Sequence, residues 1–141
     1  MSDASNPIKI TVETRNGRTY ASSGSAWEPK MGYSRAVRAG NAIAVTGSVG
    51  INADGTYDAD LSKQTARSLA IVLEAVKALG GKPEDVVRTR MFVTDVDQWQ
   101  AVAAVHGDVF GNIRPATSIV QVAKLIDADA KIEIEADAIV G

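Results

Sequence analysis

Ile8, Ile10 and Val12 alternate with Lys9, Thr11 and Glu13 ahead of Asn16-Gly17, which predicts a short strand and a tight hairpin turn. Trp27 followed by Glu28-Pro29 reads as a loop pinned by one large ring. Gly40-Asn41 supplies a turn before the apolar run at residues 42–46, so two antiparallel strands are expected there. From Asp60, a candidate N-cap, Leu61, Ala66, Leu69, Val72, Leu73, Val76 and Leu79 recur mostly at three- and four-residue spacings. That pattern predicts a long helix stopped by Gly80-Gly81 ahead of Pro83. Residues 86–94 then alternate as a strand, with Val87, Thr89, Met91 and Val93 on one face and Arg88, Arg90, Phe92 and Thr94 on the other. Asp95 can cap a second helix over about residues 97–110, with Trp99, Val102, Val105 and Val109 forming its apolar stripe. Arg114-Pro115 enters a strand running to Val122, and residues 131–140 form the last one.

Strands, helix, strand, helix, strands is the order of an α+β fold, a mixed β-sheet with two helices packed on one face. The other face then needs cover, and self-association is one way to supply it. No segment repeats at a period of 20 to 50 residues. Residues 1–26 read as an N-terminal extension, flexible or carrying an added hairpin, and residues 27–141 as a single domain.

Composition narrows the chemistry. The 141 residues include 15 Lys and Arg against 17 Asp and Glu, a formal net charge of −2, which lacks the basic footprint of a dedicated nucleic-acid binder. No apolar run is long enough for a membrane span and the first residues lack a signal-peptide layout, so a soluble cytoplasmic protein without a membrane partner is expected. With no cysteine and His106 as the single histidine, disulfides, thiolate nucleophiles, sulfur-ligated metals and a conventional triad are excluded.

What remains is carboxylate and arginine chemistry. In the last strand Glu133, Glu135 and Asp137 lie opposite Ile132, Ile134 and Ala136. Their plainer reading is a water-facing row; the sharper one brings Arg88 and Arg90 against them on the side away from the helices. In a partly enclosed cleft, an arginine can hold a small carboxylate while a glutamate positions water, the minimum for adding water to a polarised double bond. The carboxylates have neither an EF-hand pattern nor histidine support, so no metal is expected. Gly47-Ser48-Val49-Gly50 lacks the Lys-Ser/Thr of a phosphate loop; its glycines fit close backbone approach by a ligand or simply unusual torsions. Trp27, Tyr33, Trp99 and His106 each read first as packing residues.

Gly32-Tyr33-Ser34-Arg35-Ala36-Val37-Arg38, the stretches 39–47 and 86–95, Arg114-Pro115-Ala116-Thr117-Ser118 and Ile132-Glu133-Ile134-Glu135-Ala136 follow in an order that resembles the YjgF/Rid family of enamine/imine deaminases over about residues 27–140. The resemblance implies a chorismate-mutase-like fold and a homotrimer whose sheets face inward, with ligand clefts between subunits. It also implies cofactor-free hydrolysis of 2-aminoacrylate and related enamines or imines, of the 2-iminobutanoate/2-iminopropanoate type, to 2-keto acids and ammonia. Some relatives are described as ribonucleases or translation inhibitors, a role the charge balance does not favour.

By the same resemblance, Glu133 is the catalytic glutamate that binds water or the substrate nitrogen, Tyr33 a cleft tyrosine and Gly47 a backbone contact. Thr117 stands where the family's carboxylate-binding arginine would be, Ile119 where a cysteine often contributes backbone contacts, and Ala103 where an asparagine is found. Two expectations follow. Arg90, or else Arg35 or Arg114, supplies the missing cation; or Thr117 and Ser118 offer hydroxyls to a neutral or differently charged ligand. In the second case the chain is a noncatalytic small-metabolite binder or regulator.

Overall fold

The computed structural model describes residues 4–141. The hairpin at Asn16 and Gly17 forms, joining β1 (Thr11–Arg15) to β2 (Arg18–Ser22) with both turn residues at positive φ. A short helix, α1 (Trp27–Met31), follows where a loop was expected. Pro29 masks it in the sequence, yet a proline in the first turn of a helix forfeits no intrahelical bond.

β3 (Ala36–Ala39) and β4 (Ala42–Val49) pair antiparallel as expected, and α2 (Leu61–Ala78) crosses to β5 (Val86–Val93). Asp60 caps α2, its carboxylate accepting from Ser62 N at 2.7 Å and from Lys63 N. Gly80, at φ 87°, turns the chain away at the other end. After α3 (Trp99–Phe110) come β6 (Ala116–Gln121) and β7 (Ile132–Ile139).

The strands form one seven-stranded mixed sheet in the order β1-β2-β3-β4-β7-β5-β6. β7 is antiparallel to both of its neighbours, β4 and β5, and β6 runs parallel to β5 at the edge. The apolar faces of α2 and α3 close the core: Leu69, Val72, Val76, Val102 and Phe110 lie with Ile43, Met91, Ile132 and Ile134 in one buried cluster. This is the α+β arrangement the element order predicts.

Two details depart from the sequence pattern. The register of β5 against β7 shifts between Val86 and Arg88, so Val86 is buried and Val87 faces out, against the expected alternation. Asp95 caps a single 3₁₀ turn, Val96–Gln98, before α3 begins at Trp99. The stripe is rotated accordingly, with Val102 and Phe110 buried and Trp99 half exposed. No helix among the described residues is long and apolar enough to cross a membrane.

Candidate functional site

β4 and β7 pair with Val49 opposite Glu133, and the register shifts between Val45 and Ser48. The irregular stretch sets Gly47 directly against the Glu133 side chain. A Cβ on Gly47 would lie 2.6 Å from Glu133 Oε2 and 2.8 Å from its Cδ, so the absence of a side chain here is what makes room for the carboxylate. Both residues open into a cleft of about 590 Å³, which Tyr33, Arg35 and Tyr57 also line. The same cleft thus gathers Tyr33, Gly47 and Glu133 of the residues singled out in the sequence.

Arg35 is the buried cation of this cleft, which Lys9 and Arg67 also line. Its guanidinium is buried and donates through Nη1 to Gly47 O at 3.0 Å and to Ser48 Oγ at 3.2 Å. Nη2 reaches Tyr33 Oη at 3.5 Å and sits 3.8 Å from Glu28 Oε2. Glu28, buried at the start of α1, accepts from Ser22 Oγ at 2.7 Å, Ser23 Oγ at 2.6 Å and Ser23 N at 3.1 Å. Burial works to raise the Glu28 pKa, but the hydrogen bonds from Ser23 and Ser22 and the Arg35 charge outweigh it, and the carboxyl titrates below its ordinary value. A paired, hydrogen-bonded charge therefore holds Gly47 in place.

Glu133 behaves in the opposite sense. Burial raises its pKa, the neighbouring Glu135 raises it further, and Arg35 pulls it back. A carboxylate made more basic than usual and held in a cleft has the properties of a general base. Protonation through that raised pKa removes the base, so activity depending on it falls as pH drops, and falls earlier than for an exposed glutamate. Arg35→Gln is expected to move the acid limb of the kcat/KM profile to higher pH, with Arg35→Lys leaving it near the wild-type position; a limb unmoved in the Gln variant would separate Arg35 from Glu133. Tyr57 adds a hydroxyl kept protonated by burial and by its hydrogen bond to Asp127.

Thr117 and Ile119 lie elsewhere, in a second, mostly apolar pocket of about 380 Å³ between β6 and α3. Thr117 Oγ1 is 2.6 Å from Thr89 Oγ1, which is 2.9 Å from His106 Nε2. His106, its pKa lowered by burial, also packs against Phe110 with ring centroids 4.7 Å apart and the planes tilted by 44°. Ala103 lines the same pocket.

Arg90 is in neither pocket. It points to the sheet face away from the helices, where Nη1 is 3.3 Å from both Glu135 Oε1 and Asp137 Oδ2. Of the ion-paired row expected from strand alternation, the pairs of Arg90 with Glu135 and Asp137 form, and Ser118 lies beside Arg90 in the β5–β6 register. Among the arginines considered as a substitute cation, Arg35 is the one that lines the cleft with Tyr33, Gly47 and Glu133. Its only signal in the sequence is its place beside Tyr33. Among the described residues no group of three or more His, Cys, Asp or Glu side chains is placed to hold a metal ion.

Comparison with known proteins matches residues 23–140 to the family described as Endoribonuclease L-PSP. The 2-iminobutanoate/2-iminopropanoate deaminase of Escherichia coli K12 is 38% identical over 111 residues, 76% of this chain and 86% of that protein. The crystal structure of Rv2704 from Mycobacterium tuberculosis, a member of the YjgF/YER057c/UK114 family, superposes with a TM-score of 0.82 at 45% identity, covering 87% of this chain and 99% of that one. Escherichia coli TdcF with bound serine gives a TM-score of 0.73 at 30% identity, covering 77% of this chain and 88% of that one.

Proposed function

Because the chain belongs to the Endoribonuclease L-PSP family, that of YjgF/YER057c/UK114, we propose that it is a cofactor-free deaminase of small enamines and imines, with Glu133 as the general base. The observation that carries this reading is the Glu133 carboxylate, made more basic by burial and seated against Gly47 in a cleft with Tyr33 and Arg35. The 38% identity to a 2-iminobutanoate/2-iminopropanoate deaminase supports it.

The chemistry needs no more than those groups. Water held at Glu133 attacks the imine carbon: the C–O bond forms, the C=N π pair moves to nitrogen, and one water proton passes through the carboxylate to that nitrogen, giving a neutral carbinolamine. The carbinolamine then collapses. The hydroxyl proton passes through Glu133 to the nitrogen as the C=O bond forms and the C–N bond breaks, so one imine and one water give one keto acid and one ammonia. Arg35 opposes the rise that burial and Glu135 impose on the Glu133 pKa, favouring the ionised base.

Thr117 and Ile119 enter this reading through a second copy of the chain. β6 is an edge strand with its outer backbone groups unpaired, and Val120 on it is 46% exposed. A homotrimer that covers the open sheet face would bring one copy's β6 to the next copy's Glu133 cleft. In that assembly Thr117→Arg adds a charge-assisted carboxylate contact worth about 1.5–3 kcal/mol. The expected result is a KM for 2-aminoacrylate, generated in situ by a serine lyase, lowered about ten-fold or more; an unchanged KM would place Thr117 away from the substrate.

The wild-type experiment is ammonia release from that same 2-aminoacrylate, and no acceleration over buffer would sink the deaminase reading. One observation favours a second reading, a noncatalytic metabolite binder: Thr117 is already engaged with Thr89, which in turn contacts His106, rather than presenting a cation. Binding of 2-oxobutanoate without any ammonia release would select it.

A further inference from the structure

Part of the Glu133 cleft comes from outside the segment that matches the family. Pro7, Ile8 and Lys9 line it, whereas the match begins at residue 23. These residues have no regular secondary structure, yet they are tied down on both sides. Asn6 donates through Nδ2 to Asn52 Oδ1 at 3.0 Å and accepts through Oδ1 from Ala53 N at 2.7 Å. Arg67 of α2 donates through Nη1 to Asn6 O at 2.6 Å and through Nη2 to Pro7 O at 3.3 Å, while its Nε holds Ile51 O at 2.9 Å.

One guanidinium thus fixes the segment to the loop that follows β4. On the other side Ile10 packs against the core and Thr11 starts β1. The stretch between is suited to spanning an opening. Pro7 has no N–H to leave unpaired and a restricted φ, and Ile8 is β-branched, half-buried and stiff at χ1. A wall so held is preformed, and ligand binding does not have to order it.

We propose that residues 7–9, held by the Asn6 and Arg67 clamps, are a specificity-determining wall of the Glu133 cleft, in which Ile8 sets how readily a bulky aromatic side chain is taken beside a small aliphatic one. The inference rests on the deaminase reading for its substrate class, but the wall can be tested by binding alone. The experiment compares the full chain, a chain lacking residues 1–8, and the full-length Ile8→Gly and Ile8→Trp variants. Two readouts are taken: kcat/KM for imines made in situ from serine and from phenylalanine, and calorimetric affinity for pyruvate and phenylpyruvate.

Removal of the wall, or Ile8→Gly, is expected to raise the aromatic-to-aliphatic ratio at least ten-fold in both readouts; Ile8→Trp should lower it at least five-fold. If the truncated chain melts without a cooperative transition, the two Ile8 variants carry the test. A shift of the affinity ratio in a protein that releases no ammonia would uphold the wall and discard the deaminase. Ratios within two-fold of wild type in every variant, or no binding of either keto acid to any form, would overturn the wall whatever the turnover.

Discussion

Glu133→Gln is expected to lower kcat/KM for 2-aminoacrylate by about 10²–10⁴-fold, the range a positioned general base contributes, while leaving the fold intact. Glutamine keeps the length of the side chain and its packing against Gly47, so the substitution removes basicity and little else. The carboxylate it replaces is disfavoured by burial and by Glu135, so no stabilising charge is lost with it. The melting temperature should therefore stay at or slightly above that of the wild type. Ammonia release and a thermal melt on the same preparations separate the two effects: retention of activity to within three-fold would remove Glu133 from the chemistry, and loss of activity together with a lowered melt would mark a structural role. Because the raised pKa belongs to Glu133, the acid limb of the wild-type profile should be absent from whatever activity remains.

How far this site could be read in advance differs from residue to residue. Strand period two puts Glu133, Glu135 and Asp137 opposite Ile132, Ile134 and Ala136, and β7 has that alternation, with its apolar positions buried. The helix α2 is equally plain, because eighteen residues of three- and four-residue spacing sit between a cap and a glycine stop. Arg35 is different. Its burial depends on Glu28, which lies on a helix that Pro29 disguises, and on the carbonyl of Gly47, twelve residues away across β3 and β4. No local period records such a contact.

The division of the singled-out residues between two pockets was also hidden. Thr117 and Glu133 are separated within one chain because β5 lies between β6 and β7, and strand order is set by long-range pairing, not by any strand's own sequence. The register shift that exposes Val87 has the same origin, since a bulge is a property of two strands. Residues 7–9 are the extreme case: their alternation announces a strand, but the Asn6 and Arg67 clamps that make them a wall join positions 61 residues apart.

The largest effect on stability is expected at Gly50, just beyond the end of β4. An added Cβ there would lie 2.4 Å from Gln64 O, 2.8 Å from its Cα and 2.9 Å from its carbonyl carbon. All three are backbone atoms of α2, so no side chain can swing aside and the helix or the strand must move. Gln64 is a poor place for such a shift. It is buried, and its Nε2 donates to Asp58 O at 2.8 Å and Asp129 O at 3.0 Å while Oε1 accepts from Lys131 N at 2.9 Å. One side chain thus joins α2 to the chain entering β7, and displacing it strands buried polar groups on both. Overpacking typically costs 1–3 kcal/mol, and with that strain added Gly50→Ala should cost about 3 kcal/mol. For a domain of this size that corresponds to a melting temperature lower by about 10 °C. Gly47→Ala meets the flexible end of Glu133 instead, so it should melt close to wild type and lose activity. Thermal melts of the two variants side by side decide the matter: if Gly50→Ala unfolds within 2–3 °C of wild type, an offset set by the same scaling, β4 and α2 are not locked together at this point.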